Sequence, residues 1–380
     1  FYLKITSGGF DRKMFKKLIL LKAHLRFLDL YNCDLYDNEF KYIQAFKKLR
    51  YLNINFTKIT DNGLKYLQAL KNLEYLNLFS YSGKITDSGM KYLASLTNLK
   101  YLLMNIKITF RGMKYLKELT NLIYLDLKKN RLGGKGFQSI AYFEKLEYLN
   151  LSENKVSNLG LKYISQIKSL RYLNLYWNKN FDDSGFKWIS RLENLRELYL
   201  DINDISHKSI QYLKNLKKLQ ALAISRNRFS DQSLKILKEM SQLKYLSLYS
   251  NKISEKNIHY LSYLKNLENL YISHTKINDE GLKVISNLKN LKILSMGSTN
   301  VTPGGIQFIS KLKNLTELNL SGIKLTLKSL QFFKKMKKLK SISLFYTKIY
   351  NHMRLFKRGN NHSKKYLRNF NVIQKSKNVT

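Results

Sequence analysis

The sequence predicts an α/β solenoid, in which strand–helix units stack side by side and their strands form one parallel sheet. One sequence repeat and two periodicities of apolar residues predict this fold. A Leu-x-x-Leu-x-Leu pattern occurs fourteen times between Leu25 and Leu339, at a spacing close to 24 residues, and such regularity is typical of repeat architectures. Within each unit the apolar residues first alternate, as in a half-buried strand, and then recur every three residues, as along one side of a helix. We therefore expect about 15 strands in one parallel sheet.

Residues 49–70 show how one unit is built. Leu52 and Ile54 alternate with polar residues in the predicted strand, and Leu64 begins the helical stripe. Thr60 precedes that helix, where its hydroxyl can accept an otherwise unpaired backbone N–H. Parallel strands lie about 4.8 Å apart, whereas helices are about 10 Å wide. The stack is therefore expected to bend into a horseshoe, with the sheet on its concave face and the helices on its convex face.

With its Gly-Leu helix start, as at Gly63-Leu64, this unit resembles those of leucine-rich repeat proteins of the ribonuclease-inhibitor-like, GALA and F-box-associated kinds. The resemblance covers residues 1 to about 350 and indicates the architecture more strongly than the function. In that family an asparagine satisfies backbone groups in the turn after each strand. The matching positions, the asparagine ladder, are Asn130, Asn154, Asn178, Asn203, Asn227 and Asn251. Other residue types occupy this position in the flanking repeats, which we expect to be looser.

The domain organisation predicted from these patterns is one solenoid over residues 1–350, with an incomplete first repeat and 14 further repeats. Leu3 and Ile5 already occupy strand positions, so we infer that the chain begins inside a repeat. The sequence leaves open whether a signal peptide, an F-box or a catalytic domain lies upstream. Residues 351–380 contain eight Lys or Arg and no Asp or Glu. They are expected to form a flexible basic tail, either a solubilising extension or a segment for nucleic acid, acidic lipid or localisation.

The concave face is predicted to bind another protein. In a strand, the residues on either side of the buried leucines point to the same face, and forty-two such positions contain five acids and one base. Tyr, Asn and Ser dominate, a mixture suited to protein recognition. The predicted contact residues are Tyr51, Tyr75, Tyr101, Tyr124, Tyr148, Tyr172, Tyr176, Trp177, Tyr199, Tyr245 and Tyr249. The alternative is that tyrosine occurs there for its strand propensity and its stacking on neighbouring strands.

Net charge suggests a second kind of partner. The chain has 68 Lys or Arg and 26 Asp or Glu, a formal charge of +42, so nucleic acid or an anionic membrane could bind the convex lysines and the tail. An AT-rich genome would supply the same lysines without selection for binding. A protein partner on the concave face is the preferred hypothesis, as in a substrate-recognition arm or a bacterial effector.

No motif in the sequence predicts catalysis, a metal site or a cofactor. The six histidines are scattered among repeats and tail, Cys33 is the single cysteine, and no HExxH, GxSxG or Walker motif occurs. We therefore expect a non-enzymatic protein without cofactors. No run of about 18 apolar residues predicts a membrane span. The sequence leaves the compartment, cytoplasmic or that of a secreted effector, and the oligomeric state open.

Overall fold

The computed structural model describes residues 1–5, 12–79 and 84–347. Two compact units are distinguished, Phe1–Leu198 and Tyr199–Thr380, and each is treated by itself below.

Two of the predictions about domains are therefore not tested. The basic tail predicted at residues 351–380 lies outside the described residues. A single solenoid over residues 1–350 likewise stays a prediction.

Within the described ranges, fifteen parallel strands of three residues follow one another in sequence order in one sheet, with β1 and β15 at its ends. This open sheet, with helices between its strands, confirms the predicted fold class. Strands β1 to β15 are Tyr2–Lys4, Phe27–Asp29, Tyr51–Asn53, Tyr75–Asn77, Tyr101–Leu103, Tyr124–Asp126, Tyr148–Asn150, Tyr172–Asn174, Glu197–Tyr199, Ala221–Ala223, Tyr245–Ser247, Asn269–Tyr271, Ile293–Ser295, Glu317–Asn319 and Ser341–Ser343.

Leucines at the strand centres hold the sheet in register. The middle residue is leucine in every strand except β15, which has Ile342. Leu52 aligns with Leu28 on one side and with Leu76 on the other, and all three are fully buried. Full burial of a leucine contributes about 1.5–3 kcal/mol, and a slip of one residue would turn every such leucine to the opposite face. The repeat period thus fixes the register.

The helical segments are short and of two kinds. Among the described residues, α1 to α11 are Arg12–Leu18, Asp37–Phe40, Asp61–Leu64, Phe110–Leu116, Asn158–Ile164, Phe186–Ile189, His207–Leu213, Asp231–Leu237, Asp279–Ile285, Ile306–Ile309 and Leu330–Phe333. The 3₁₀ helices are Ile19–Leu21, Lys41–Ala45, Lys65–Ala69, Asp87–Tyr92, Gly134–Tyr142, Asp183–Gly185, Ile258–Tyr263 and Leu327–Ser329. A strict spacing of three, as at Leu64, Leu67 and Leu70, fits the three residues per turn of a 3₁₀ helix.

Hydrogen bonds between repeats brace the helix starts. The backbone N–H and hydroxyl of Thr86 donate to the two carboxylate oxygens of Asp61 in the preceding repeat, at 2.8 and 2.5 Å. The Thr86 hydroxyl in turn accepts from the Ser88 N–H of its own helix at 3.2 Å. We call this arrangement the cap brace. It recurs in the pairs Asp37/Thr60, Asp87/Thr109, Asp231/Ser254 and Asp279/Thr302.

Candidate functional site

The candidate site is the open face of the sheet, which we define as the face opposite the buried leucines. It is formed by the first and third residues of each strand and by the residue two positions further on. In β3, for example, Tyr51 is half-buried, whereas its neighbour Leu52 is fully buried. The alternation of a strand accounts for this difference.

In the first unit, eight aromatic rings from successive strands form a continuous row on the open face. They are Tyr2, Phe27, Tyr51, Tyr75, Tyr101, Tyr124, Tyr148 and Tyr172. From Tyr2 to Tyr75 the ring centroids are 3.7 to 4.1 Å apart, and from Tyr124 to Tyr172 they are 3.9 to 4.0 Å apart. These two runs are stacked nearly parallel. Stacking across strands therefore holds most of these rings in place.

The close parallel stacking of the row is interrupted at Tyr101. Its ring centroid is 6.2 Å from that of Tyr75 and 6.0 Å from that of Tyr124, with planes tilted by 35° and 36°. The Tyr101 side chain is 40% exposed, whereas Tyr75 and Tyr124 are half-buried. Among the described residues, no parallel ring lies against either face of the Tyr101 ring, so this ring can contact a ligand.

Three of the stacked tyrosines, Tyr51, Tyr124 and Tyr148, have raised pKa values. Burial raises the pKa of Tyr148, and hydrogen bonds with the hydroxyls of Tyr124 and Tyr172 raise it further. Burial also raises the pKa values of Tyr51 and Tyr124. These three residues therefore offer rings and uncharged hydroxyls rather than phenolates at physiological pH.

Next to Tyr101 the open face changes in composition. The third residue of β5 is the half-buried Leu103, whereas the paired positions of β4 and β6 hold Asn77 and Asp126. Two residues on, Asn105 is only 3% exposed, and its side-chain nitrogen Nδ2 has no hydrogen-bond partner among the described residues. A buried amide without a partner is costly. This atom is itself buried, so the cost lies within the folded chain.

Asp126 adds a carboxylate to the same region. Its oxygens accept from the Lys128 backbone N–H at 2.9 Å and from Asn150 Nδ2 at 3.1 Å. Burial nevertheless raises the pKa of Asp126, because these hydrogen bonds offset only part of the desolvation. The nearby Lys128 ammonium lies 3.1 Å from Glu153, so that base is itself paired.

The other predicted contact residues lie in separate groups. Tyr176 and Trp177 follow β8 and form an edge-to-face pair with centroids 6.5 Å apart, and Trp177 is 49% exposed with a φ of 53°. In the second unit, Tyr199 and Tyr245 are neighbours at 6.4 Å. Tyr249 instead contacts Arg226 and His274.

Sequence reasoning did not select several residues of this face. Tyr2 and Phe27 extend the row, and Phe27 could have been found because it stands in the same column as the selected tyrosines. Leu103 and Asn105 belong to the surroundings of Tyr101. A selection based on aromatic residues passed over them.

The asparagine ladder lies in the turns that follow the central strands. Asn178, fully buried, donates from Nδ2 to Leu151 O of the preceding repeat at 2.8 Å and to Leu175 O of its own at 3.1 Å. Its Oδ1 accepts from the Val156 N–H at 3.0 Å. The same contacts join the repeats of Asn154 and Asn251 to their predecessors. One side chain thus satisfies backbone groups of two repeats.

Among the described residues, no three His, Cys, Asp or Glu side chains come close enough together to hold a metal ion. Cys33 is buried, and burial together with the nearby Asp29 carboxylate raises the pKa of its thiol.

Family models described as leucine-rich repeats match the chain at residues 217–277 and at residues 47–67, 118–141 and 144–165. The repeats within these matched stretches are leucine-rich repeats. Leucine-rich repeat domains generally mediate protein–protein interaction and are generally non-catalytic binding modules. Within the described ranges, none of the helices has the length and apolar character needed to cross a bilayer.

Solved leucine-rich repeat structures resemble this one over much of its length. An internalin from Listeria monocytogenes is 26% identical over 72% of this chain and 81% of its own, with a TM-score of 0.57. A leucine-rich repeat protein from Leptospira interrogans is 22% identical over 93% of this chain and 98% of its own, with a TM-score of 0.60. The protein in a TLR13–ssRNA13 complex is 21% identical over 90% of this chain and 56% of its own, with a TM-score of 0.58. No curated protein matches the sequence significantly.

Proposed function

We propose that this chain is a non-catalytic interaction module that binds a polypeptide on the open face of its first unit, centred on Tyr101. The observation that carries the proposal is the opening of the aromatic row at that residue. Two stacked runs hold their rings against one another, whereas Tyr101 is exposed and tilted away from both neighbours. Rigid aromatic side chains of this kind are typical energetic centres of protein interfaces.

The surroundings of Tyr101 favour a polypeptide over other ligands. Leu103, the next residue of β5 on the same face, offers half-buried apolar surface. A polyphosphate backbone requires Lys or Arg at the contact. Near Tyr101, however, Lys128 is paired with Glu153 and a carboxylate lies at Asp126.

Five other predicted contact residues of the first unit belong to the proposal. Tyr51, Tyr75, Tyr124, Tyr148 and Tyr172 form the walls of the row on either side of Tyr101. A role as a substrate-recognition arm or bacterial effector, and membership of the ribonuclease-inhibitor-like kind, are also part of this proposal. The similarity to an internalin is compatible with such a binding role.

A photo-crosslinking residue tests the contact directly. We expect p-benzoylphenylalanine at position 101 of the full chain to cross-link to a protein in a lysate of the source cells. The matched control carries the same residue at position 115, because Tyr115 is 45% exposed but lies on helix α4. Cross-links of equal yield and identity from both positions would argue against an open-face site.

Side-chain replacement separates this proposal from charge-driven binding. We expect Tyr101→Ala to weaken binding of the cross-linked partner by about 2 kcal/mol or more, as at an interface hot spot. Tyr115→Ala should have little effect on this binding free energy. Binding that survives Tyr101→Ala but disappears at high salt would instead indicate an electrostatic contact of the convex lysines with nucleic acid or membrane.

A further inference from the structure

A second aromatic cluster lies on the open face of the second unit, and it is not stacked. The ring centroids of Tyr199 and Tyr245 are 6.4 Å apart with planes at 53°, and those of Tyr245 and Tyr271 are 5.2 Å apart with planes at 40°. Strand β10 carries only Ala221 and Ala223 on this face. The small side chains let the rings of the neighbouring strands converge, and both alanines are buried.

A carboxylate without a cationic partner lies beside these rings. Asp201 accepts the Ser225 backbone N–H at 2.6 Å, and no Lys or Arg of the described residues forms an ion pair with it. Burial raises the pKa of Asp201. Burial, the Tyr271 hydroxyl and the Asp201 charge together raise the pKa of Tyr245 to about 12. Asp201 lies two residues beyond Tyr199 on the same face, and the Tyr199 ring is 6.4 Å from the Tyr245 ring.

The charge of this face is opposite to that of the whole chain. From Tyr199 onward, the open-face positions of β9 to β15 hold two acids, Asp201 and Glu317, and no Lys or Arg. The chain as a whole carries +42. Aromatic rings present a negative face, so rings and carboxylate together attract a cation, and distant lysines are screened beyond about 8 Å at physiological ionic strength.

The same unit contains an internal example of such a contact. The Arg226 guanidinium carbon lies 5.3 Å from the centroid of the Tyr249 ring, and Arg226 Nη2 is 3.5 Å from the Tyr249 hydroxyl. A guanidinium therefore fits against a tyrosine of this face.

We propose that Tyr199, Tyr245, Tyr271 and Asp201 form a recognition site for a cationic side chain, a lysine ammonium or an arginine guanidinium, presented by a polypeptide. The cation would lie against the rings, where cation–π attraction operates within about 6 Å of a ring centroid, and would pair with a carboxylate that is already desolvated. This site is separate from that at Tyr101. Either can fail without the other.

Short peptides with one variable side chain test the proposal on the full chain. The probes are acetyl-Gly-Gly-X-Gly-Gly-amide with X as Lys, trimethyl-Lys, Arg or Gln, and their dissociation constants are measured by NMR titration. We expect at least one cationic probe to bind about tenfold more tightly than the Gln probe. The Lys and Arg arms identify which cation is preferred.

Matched variants locate the binding. Asp201→Asn keeps an oxygen that can accept the Ser225 N–H but removes the charge, and Tyr245→Leu removes one ring. Each is expected to abolish the preference for the cationic probe, whereas the exposed Glu255→Gln is expected to keep it. Because Asp201→Asn relieves a buried charge, its thermal midpoint should not fall.

Three outcomes would overturn the assignment. The first is equal affinity of the Gln and cationic probes for the wild-type chain. The second is an unchanged preference in folded Asp201→Asn. The third is a preference lost on Tyr101→Ala but kept in Tyr245→Leu, which would place the cation at the other site.

Discussion

At the scale of single residues, the asparagine ladder shows why one side-chain type cannot replace another there. Asn178 bonds backbone groups in two repeats. Where threonine occupies the same position, as at Thr57 and Thr275, its hydroxyl donates only to a carbonyl three residues earlier, at 2.8 and 2.6 Å. A threonine closes the turn within one repeat, and an asparagine also joins that repeat to the one before.

Asn178→Thr should therefore destabilise the first unit. The hydroxyl can reproduce the bond to Leu175 O, but Leu151 O loses a donor and the Val156 N–H loses its acceptor. An unsatisfied buried group costs about 1–3 kcal/mol, and urea unfolding should show a loss of that size.

The control for Asn178→Thr is Asn98→Thr. Asn98 is exposed and donates one bond, to Lys71 O at 2.8 Å, so water can replace it and the loss should stay below about 0.5 kcal/mol. Equal losses for the two variants would contradict the role given to the ladder.

At the scale of elements, the cap brace explains a glycine near the start of several helices. A Cβ at Gly89 would collide with the Asp61 carboxylate oxygen and lie 2.9 Å from a Leu64 methyl carbon. The same carboxylate accepts both donors of Thr86. The glycine thus allows the aspartate of one repeat to reach the helix start of the next.

Gly89→Ala is expected to destabilise the chain by about 1–3 kcal/mol through overpacking, measured by chemical denaturation. Gly304→Ala is the control, because its nearest neighbour would be the Thr302 hydroxyl at 3.5 Å. Asp61→Ala should be less than additive with Gly89→Ala, since removing the carboxylate removes the collision. Strict additivity would mean that the glycine serves another purpose.

The strand and helix of each repeat were predictable from sequence because the spacing of apolar residues recurs in every repeat. The helix type was less so, since a spacing of three residues suits a 3₁₀ helix and a short α-helix alike. The sequence also did not predict which turn residues adopt the left-handed backbone conformation. Trp177 and Ile202 adopt φ values of 53° and 58°, although bulky and β-branched residues disfavour that region.

The candidate site was predicted in position but not in detail. The column of tyrosines follows directly from strand alternation. The opening at Tyr101 does not, because Tyr75, Tyr101 and Tyr124 are the same residue in the same column and only ring spacing distinguishes them. The unpaired Nδ2 of Asn105 likewise depends on atomic contacts that no residue pattern encodes.

At the scale of the whole molecule, stability should vary along the chain because the repeats are joined unequally. A solenoid is stabilised by each repeat and by its contacts with adjacent repeats. The first unit has Thr57 after β3 but Asn154 after β7, and the second has Asn251 after β11 but Ile323 after β14. Repeats that end in asparagine carry additional bonds to their predecessors.

Amide hydrogen exchange should therefore be slower in β7 than in β3, and slower in β11 than in β14. A difference of about 1 kcal/mol in opening free energy corresponds to roughly fivefold in rate. Because β3 and β14 also lie nearer the ends of the sheet, position must be separated from residue type. Thr275→Asn does so: its amide would face the Ile253 N–H, as Asn251 faces the Phe229 N–H at 3.3 Å, and exchange in β12 should slow. If exchange in β12 were unchanged in a folded Thr275→Asn chain, any gradient of exchange rates along the sheet would arise from fraying at its ends rather than from the asparagine ladder.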